Sequence, residues 1–242
     1  MPKKKILLVI PARGGSKRLK GKNFYLQLGG LRLINYSINI ALKCTFNLDI
    51  VVTSDDKKIL MFAKKNNLKT HLRPKKLAGD KAQLCNVIHD IYDYYKNLGI
   101  KYDAVISLQP TSPFLLTKSL NKIINLWIKT NCDSVTTISQ ITQSHPYISR
   151  KILKNNKIIP FFNLPKSANN SSQRRPVAYY LTGGIYLRSA ALIENIYPKG
   201  HWLGKNSRAI IVNHIESIDI NTKMDFQYAK FLLTKGFVKK SR

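Results

Sequence analysis

Short runs of apolar residues alternate along the chain with longer segments in which apolar positions recur at helical spacing. Uninterrupted apolar runs of four to seven residues are typical of strands that are buried on both faces. The predicted strands cover residues 5–10, 49–53, 68–72, 104–108, 134–139, 184–187, 209–212 and 217–220. Pro11 and Pro110 close two of these runs and mark where loops begin.

The helical segments lie between these strands. In residues 33–43, for example, Ile34, Ile38 and Ala41 share one side of a helix. The other predicted helices start after Asp55 or Asp56 and run to residue 66, and cover residues 83–97, 117–129 and 222–234. In the last two, Thr117 and either Asn221 or Thr222 are candidate N-caps.

The alternation of strands and helices predicts an α/β fold with a mostly parallel sheet covered on both faces, in a single domain of residues 1–242. Ligands of such sheets bind beyond the carboxyl ends of the strands. The loops that follow Ile10, Thr53 and Leu108 are therefore the expected site. Residues 140–176 interrupt the pattern, being polar with few periodic apolar positions, and we expect them to form an excursion from the sheet.

The composition narrows the functional class. Hydrophobic residues make up 44% of the chain, enough for a full core, and no apolar run is long enough to span a bilayer. Three scattered cysteines form no zinc motif or disulfide framework, so a cytoplasmic protein with no membrane partner is expected. The net charge of +29 is spread along the chain without a nucleic-acid-binding motif, which predicts non-specific attraction to polyanions and no specific nucleic-acid partner.

Residues 13–23 combine glycines with several cations directly after the first strand. Glycines let backbone N–H groups approach phosphate oxygens, and the cations neutralise a polyanion. A P-loop is excluded, because five residues instead of four separate Gly15 from Gly21, and Asn23 stands where a hydroxyl is needed. The loop predicts a different kind of phosphate site, although its composition alone also suits a solvated basic turn.

Two further motifs carry polar groups that could belong to the same site. In residues 109–113 two prolines stiffen the loop after the third long strand, which leaves Gln109, Thr111 and Ser112 to present polar groups. In residues 217–221, Asp219 and Asn221 would point the same way from a strand. Two such oxygens suit Mg²⁺, while helix capping is an equal explanation for Asn221.

Together these motifs resemble the acylneuraminate cytidylyltransferases, or CMP-sialic acid synthetases, and their relatives that act on other nonulosonic acids. The similarity covers residues 6–233 and rests chiefly on the 12–23 and 108–113 motifs, with residues 53–55 and 217–220 in support. It implies a Rossmann-like nucleotidyltransferase fold with a small dimerisation excursion at residues 140–176. It also implies CTP and an acidic sugar as substrates, Mg²⁺ as cofactor and a homodimer.

The resemblance also implies a role for individual residues. The implied nucleotide-binding residues are Arg13, Gly14, Gly15, Ser16, Lys17, Lys22, Asn23, Arg73, Asp80 and Ala82. The implied sugar-site residues are Gln109, Thr111, Ser112, Arg174, Arg175, Thr182 and Tyr186. Catalysis is implied for Arg13, Lys22, Gln109 and Asp219, and metal binding for Asp219 with Asn221.

The chain departs from the family pattern at several of these positions. Asn221 replaces the second carboxylate of an Asp-x-Asp motif, Leu84 replaces a hydroxyl residue beside the base, and Thr182 replaces an asparagine. Leu115 stands where an arginine is usual, and the stretch after Arg175 is short. These differences leave open a transferase for another sugar or alcohol, or a nucleotide-binding protein without turnover.

Overall fold

The protein is described from a computed structural model, which covers residues 4–16, 18–79, 81–163, 175–196 and 203–238. The strands are β1 (Ile6–Pro11), β2 (Gln27–Leu28), β3 (Leu31–Arg32), β4 (Leu48–Ser54), β5 (Lys69–Leu72), β6 (Ala104–Leu108), β7 (Ser134–Gln140), β8 (Arg150–Ile152), β9 (Ile158–Pro160), β10 (Tyr179–Ser189) and β11 (Ser207–Ile211). The α-helices are α1 (Leu33–Leu42), α2 (Lys57–Lys65), α3 (Leu84–Asn97), α4 (Thr117–Thr130), α5 (Ala190–Ile196) and α6 (Lys223–Thr234).

Seven strands form the central sheet in the order β11-β7-β10-β6-β1-β4-β5. β1 pairs in parallel with β4 and β6, and β5 and β11 are parallel to their neighbours. Only β10 runs antiparallel, between β6 and β7. The predicted mostly parallel α/β sheet is confirmed.

The apolar runs are continuous because the sheet is covered on both faces. In β1, Ile6, Leu8 and Ile10 pack into the core that contains α1, α2 and α4. Leu7 and Val9 point the other way, into the core formed with α3 and α5. Each fully buried side chain of this size contributes about 1.5–3 kcal/mol, so the central strands anchor the loops that follow them.

One predicted strand is wrong. Residues 217–220 form a turn and an irregular segment, and do not join the sheet. The backbone N–H of Ile220 donates to the Thr111 carbonyl at 2.8 Å, and Ile218 and Ile220 pack into the core beneath α6. A loop contact therefore replaces the strand pairing that the alternating pattern suggested.

The excursion at residues 140–176 contains a small hairpin where the sequence showed little regularity. β8 and β9 pair only with each other, with Ile152 opposite Ile158. Both isoleucines are exposed, 76% and 61% respectively. Within the described part of the chain, no helix is both long and apolar enough to cross a membrane.

Candidate active site

A cleft of about 290 Å³ opens at the carboxyl ends of β1 and β6, where the sequence placed the site, while the third predicted loop, after β4, adds no residue to its described lining. It brings together ten of the predicted residues: Arg13, Lys22, Asn23, Arg73, Ala82, Gln109, Thr111, Tyr186, Asp219 and Asn221. Segments that are almost the whole chain apart therefore meet at one edge of the sheet, as parallel strands require.

The loop after β1 is held by polar contacts to the loop after β4. The Gly14 N–H donates to the Asp55 carboxylate at 2.9 Å. A Cβ at Gly14 would lie 2.8 Å from the Cβ of Asp56, so only glycine permits this approach. The Asn23 amide donates to the Arg13 carbonyl at 3.2 Å, which fixes the two ends of the loop against each other.

Lys22 is a buried cation at the centre of the cleft. Its ammonium donates to the Ile220 carbonyl at 2.8 Å and to Oδ1 of Asn221 at 3.0 Å. Burial lowers the pKa of Lys22 below its ordinary value, while the nearby Asp219 carboxylate opposes that shift. Such a cation, with little water around it, attracts a phosphate strongly.

Arg73 is a second buried cation in the cleft wall. Its guanidinium donates to the Thr53 carbonyl at 3.1 Å, and the backbone N–H of Arg73 donates to the Ser54 carbonyl at 2.9 Å. Burial lowers the pKa of Arg73 to about 10, partly offset by Asp55. The Nε atom has no hydrogen-bond partner among the described residues.

Asp219 is the one carboxylate among the described residues that line the cleft. Its Oδ2 accepts a hydrogen bond from the Asn221 amide, and its buried Oδ1 has no partner within the described chain. A single carboxylate with an open oxygen fits Mg²⁺, which binds through one or two carboxylates together with substrate phosphates and water. No cluster of three or more His, Cys, Asp or Glu side chains occurs among the described residues.

Gln109 and Tyr186 are uncharged polar residues in the cleft lining. The Gln109 N–H donates to the Gly184 carbonyl at 2.9 Å, while its buried Nε2 has no partner in the described part of the chain. β10 shifts register between Leu181 and Tyr186, where Gly183 adopts a φ of 81°. This bulge turns the Tyr186 side chain into the cleft.

Other predicted residues do not belong to the described lining of the cleft. Ser16 and Ser112 are buried, and Gly14, Gly15 and Arg175 are also absent from the described lining. The Thr182 hydroxyl bonds to the Thr137 hydroxyl at 2.5 Å, on the side of β7. Lys17, Asp80 and Arg174 lie outside the described residues.

Leu84, which the resemblance placed beside the base, lines the cleft together with Val87, and the two form an apolar wall on α3. Sequence reasoning missed Val87 and a second layer of the site. Beneath Tyr186, the Arg188 guanidinium lies 4.8 Å from the ring centroid. The period of two along a strand places residues 186 and 188 on one face, so a charged residue in an apolar strand was the available signal.

Comparison with known proteins identifies the family. A family model described as cytidylyltransferase matches residues 7–180. A CMP-N,N'-diacetyllegionaminic acid synthase from Legionella pneumophila is 32% identical over 233 residues, which cover 95% of this chain and 96% of the relative. An N-acylneuraminate cytidylyltransferase from Escherichia coli is 30% identical over 226 residues, 93% of this chain and 51% of the relative.

The fold has a counterpart among solved structures. A CMP:2-keto-3-deoxy-manno-octonic acid synthetase complexed with CTP superposes with a TM-score of 0.72 at 18% identity, covering 96% of this chain and 99% of that one. This likeness confirms the nucleotidyltransferase fold that the resemblance implied. From its motifs, its cleft and these relatives, the chain belongs to the cytidylyltransferase family, in the group of CMP-nonulosonic acid synthetases.

Proposed function

We propose that this protein transfers CMP from CTP to the anomeric hydroxyl of a nonulosonic acid. The hydroxyl oxygen forms a bond to the α-phosphorus, the bond between that phosphorus and the bridging oxygen to the β-phosphate breaks, and pyrophosphate leaves. The hydroxyl proton passes to solvent. The observation that carries the proposal is one cleft whose lining contains buried cations, a carboxylate and uncharged polar groups.

The cations that line the cleft suit the nucleotide. Phosphoryl transfer asks a protein mainly for positioning and charge neutralisation. Arg13, Lys22 and Arg73 offer positive charge to a triphosphate and to the negative charge that builds on departing pyrophosphate. Leu84 and Val87 supply the apolar surface against which a base can pack.

The uncharged polar groups that line the cleft, on Gln109, Thr111 and Tyr186, suit the sugar acid. The Gln109 amide has an unused donor that can bind a sugar oxygen, and Thr111 and Tyr186 border the same space. Burying polar groups with no partner is costly, which favours a ligand rich in hydroxyl groups beside these residues. The hydrogen bond from the Gln109 backbone N–H to the Gly184 carbonyl ties Gln109 to β10, the strand that carries Tyr186.

Mg²⁺ is the proposed cofactor, with Asp219 as its protein ligand. When bound, it would neutralise phosphate charge near the reacting phosphorus. The open Oδ1 of Asp219 supports this assignment. Asp219 lies close to Lys22, so its carboxylate can hold a divalent metal ion near phosphates that this ammonium attracts.

We also propose a cytoplasmic homodimer joined through the excursion. Its exposed apolar residues include Ile152, Leu153, Ile158, Phe161 and Phe162. An apolar patch of this kind on a soluble protein marks an interaction surface. All three cysteines are free thiols, as expected for a reducing compartment.

The direct test is pyrophosphate release from CTP and Mg²⁺ with a panel of sialic, legionaminic, pseudaminic and 3-deoxy-octulosonic acids. We expect release with at least one acid, with formation of its CMP ester. The Lys22→Met variant should lose roughly 100-fold in kcat/KM for CTP, because one buried donor to developing charge is removed.

Lys129→Met is the matched control, since Lys129 is exposed in the last turn of α4 and does not line the cleft. It should retain parental kinetics. Binding of CTP without turnover of any acid would contradict the proposed reaction, and turnover of a neutral sugar or alcohol would point to a different acceptor.

A further inference from the structure

The side-chain amide of Asn221 lies between two cations and a carboxylate. Its Oδ1 accepts from the Lys22 ammonium at 3.0 Å and from the Arg18 guanidinium at 3.2 Å. Its Nδ2 donates to Oδ2 of Asp219. All three neighbours thus contact a side chain that the sequence offered as a metal ligand.

The chemistry of these neighbours fixes which way the amide points. Ammonium and guanidinium groups only donate hydrogen bonds, and an ionised carboxylate only accepts them. The reverse orientation would set the amide N–H groups against two donors and its oxygen against the Asp219 carboxylate. The oxygen must therefore face Lys22 and Arg18, where both of its lone pairs are used.

The backbone of Asn221 is held independently of its side chain. The Asp225 carboxylate accepts from the Asn221 N–H at 2.9 Å and from the Thr222 N–H at 2.7 Å. Thr222 and Asp225 form a reciprocal capping box at the start of α6. The backbone that carries the amide is therefore anchored to a helix end, and the amide oxygen is already engaged by Lys22 and Arg18, which leaves it little freedom to turn towards a metal ion.

Asp219 is left with one oxygen for a ligand. The Asn221 amide donates to Oδ2 of Asp219, and Oδ1 of Asp219 is buried without a partner in the described chain. Asp219 lines the cleft, so that oxygen is near the space where phosphates would lie. The amide thereby keeps a buried cation, Lys22, and an open carboxylate oxygen at fixed positions on its two sides.

We propose that Asn221 is a positioning residue that holds Lys22 and Asp219 and does not ligate the metal. The divalent cation is then held by Asp219 Oδ1 and by phosphate oxygens of the nucleotide. This inference rests on the proposed binding of CTP with a metal ion, and it predicts that the cation enters chiefly with the nucleotide.

The number of water ligands on bound Mn²⁺ distinguishes a positioning role of Asn221 from a role as a metal ligand. Electron spin-echo measurements in D₂O count these waters in the complex with CTP, without any sugar. Asn221→Ala should leave the count as in the parent protein, whereas Asp219→Ala should either gain a water or lose the ion. A water gained in Asn221→Ala would overturn the proposal. Asn221→Leu, which keeps the volume, gives the same comparison if the alanine variant folds poorly.

A double-mutant cycle tests the link to Lys22. Asn221→Ala should raise the Kd of CTP, measured by calorimetry with Mg²⁺ and without any sugar, roughly tenfold in the parent, as expected when an orienting partner is lost. In the Lys22→Met background the same change should have little effect, because the ammonium it orients is gone. Equal losses in both backgrounds would mean a merely structural role and would contradict the inference. These metal and CTP measurements remain informative even if no sugar in the panel reacts.

Discussion

Arg188 is a buried cation in the layer directly beneath the cleft. Only 4% of the residue is exposed, and its Nε has no partner among the described residues. Burial lowers the pKa of its guanidinium, and Tyr186 opposes that shift. Its contact with the Tyr186 ring is a cation–π interaction, which fixes the position of an aromatic side chain that lines the cleft and is proposed to contact the sugar.

Replacing Arg188 should therefore affect the sugar more than the nucleotide. Arg188→Met keeps the side-chain length and removes a contact worth about 0.5–2 kcal/mol. We expect KM for the sugar acid to rise by roughly 2- to 30-fold at saturating CTP. KM for CTP should change little, and Arg188→Lys should recover part of the loss.

Arg208→Met is the control, because Arg208 is an exposed arginine on β11. Steady-state kinetics with each substrate varied in turn make the comparison. A parallel rise in both KM values for Arg188→Met would indicate general loosening of the fold instead of a role through Tyr186.

At the scale of elements, α4 depends on a distant residue for its N-terminus. The sequence offered Thr117 as a cap, but Leu116 occupies the N-cap position and supplies no side-chain hydrogen bond. Oε2 of Glu216 accepts instead from the Ser119 hydroxyl at 2.6 Å and from the Leu116 N–H at 3.3 Å. A carboxylate at this end also complements the helix dipole.

Removing this carboxylate should destabilise the protein. Glu216→Ala leaves a buried hydroxyl and an N–H without their acceptor, at a cost of about 1–3 kcal/mol. The urea midpoint of unfolding should fall accordingly. Asp93→Ala is the control: Asp93 is half-exposed and pairs with His89 one turn earlier on α3, where a surface ion pair contributes about 0–1 kcal/mol. Equal shifts in the two variants would refute a special role for Glu216.

At the scale of the molecule, the excursion carries apolar surface that the described residues do not cover. Ile152 and Ile158 face each other across the β8–β9 hairpin and are both largely exposed. The chain also has a net charge of +29, so self-association must overcome repulsion between copies. In the proposed homodimer, apolar contact through the hairpin would offset this repulsion.

The hairpin therefore gives a test of the dimer. The parent protein should sediment with the mass of two chains, and the double variant Ile152→Lys/Ile158→Lys should sediment as one, because charge is placed at the contact. Leu98→Lys, at an exposed leucine after α3, should stay dimeric. A parent that sediments as a single chain, or a double variant that stays dimeric, would rule out this interface.

Much of the fold follows from local pattern. The run in β1 is apolar at every position because side chains on both faces are buried, and that period is visible without tertiary information. The loops after parallel strands must share one edge, so residues 13, 22 and 109 could be assigned to one site from the sequence. The expected fold and family were confirmed on this basis.

Other features depend on which distant groups meet, and local periodicity carries no such information. The alternation in residues 217–220 suggested a strand, but packing beneath α6 and a bond to Thr111 decided otherwise. The sequence alone determined a mostly parallel sheet with the glycine-rich, cationic 13–23 loop at its edge. Only the tertiary structure decided that Glu216 caps α4 and that the Asn221 amide faces Lys22, because a hydrogen bond needs its donor and acceptor within about 3 Å of each other.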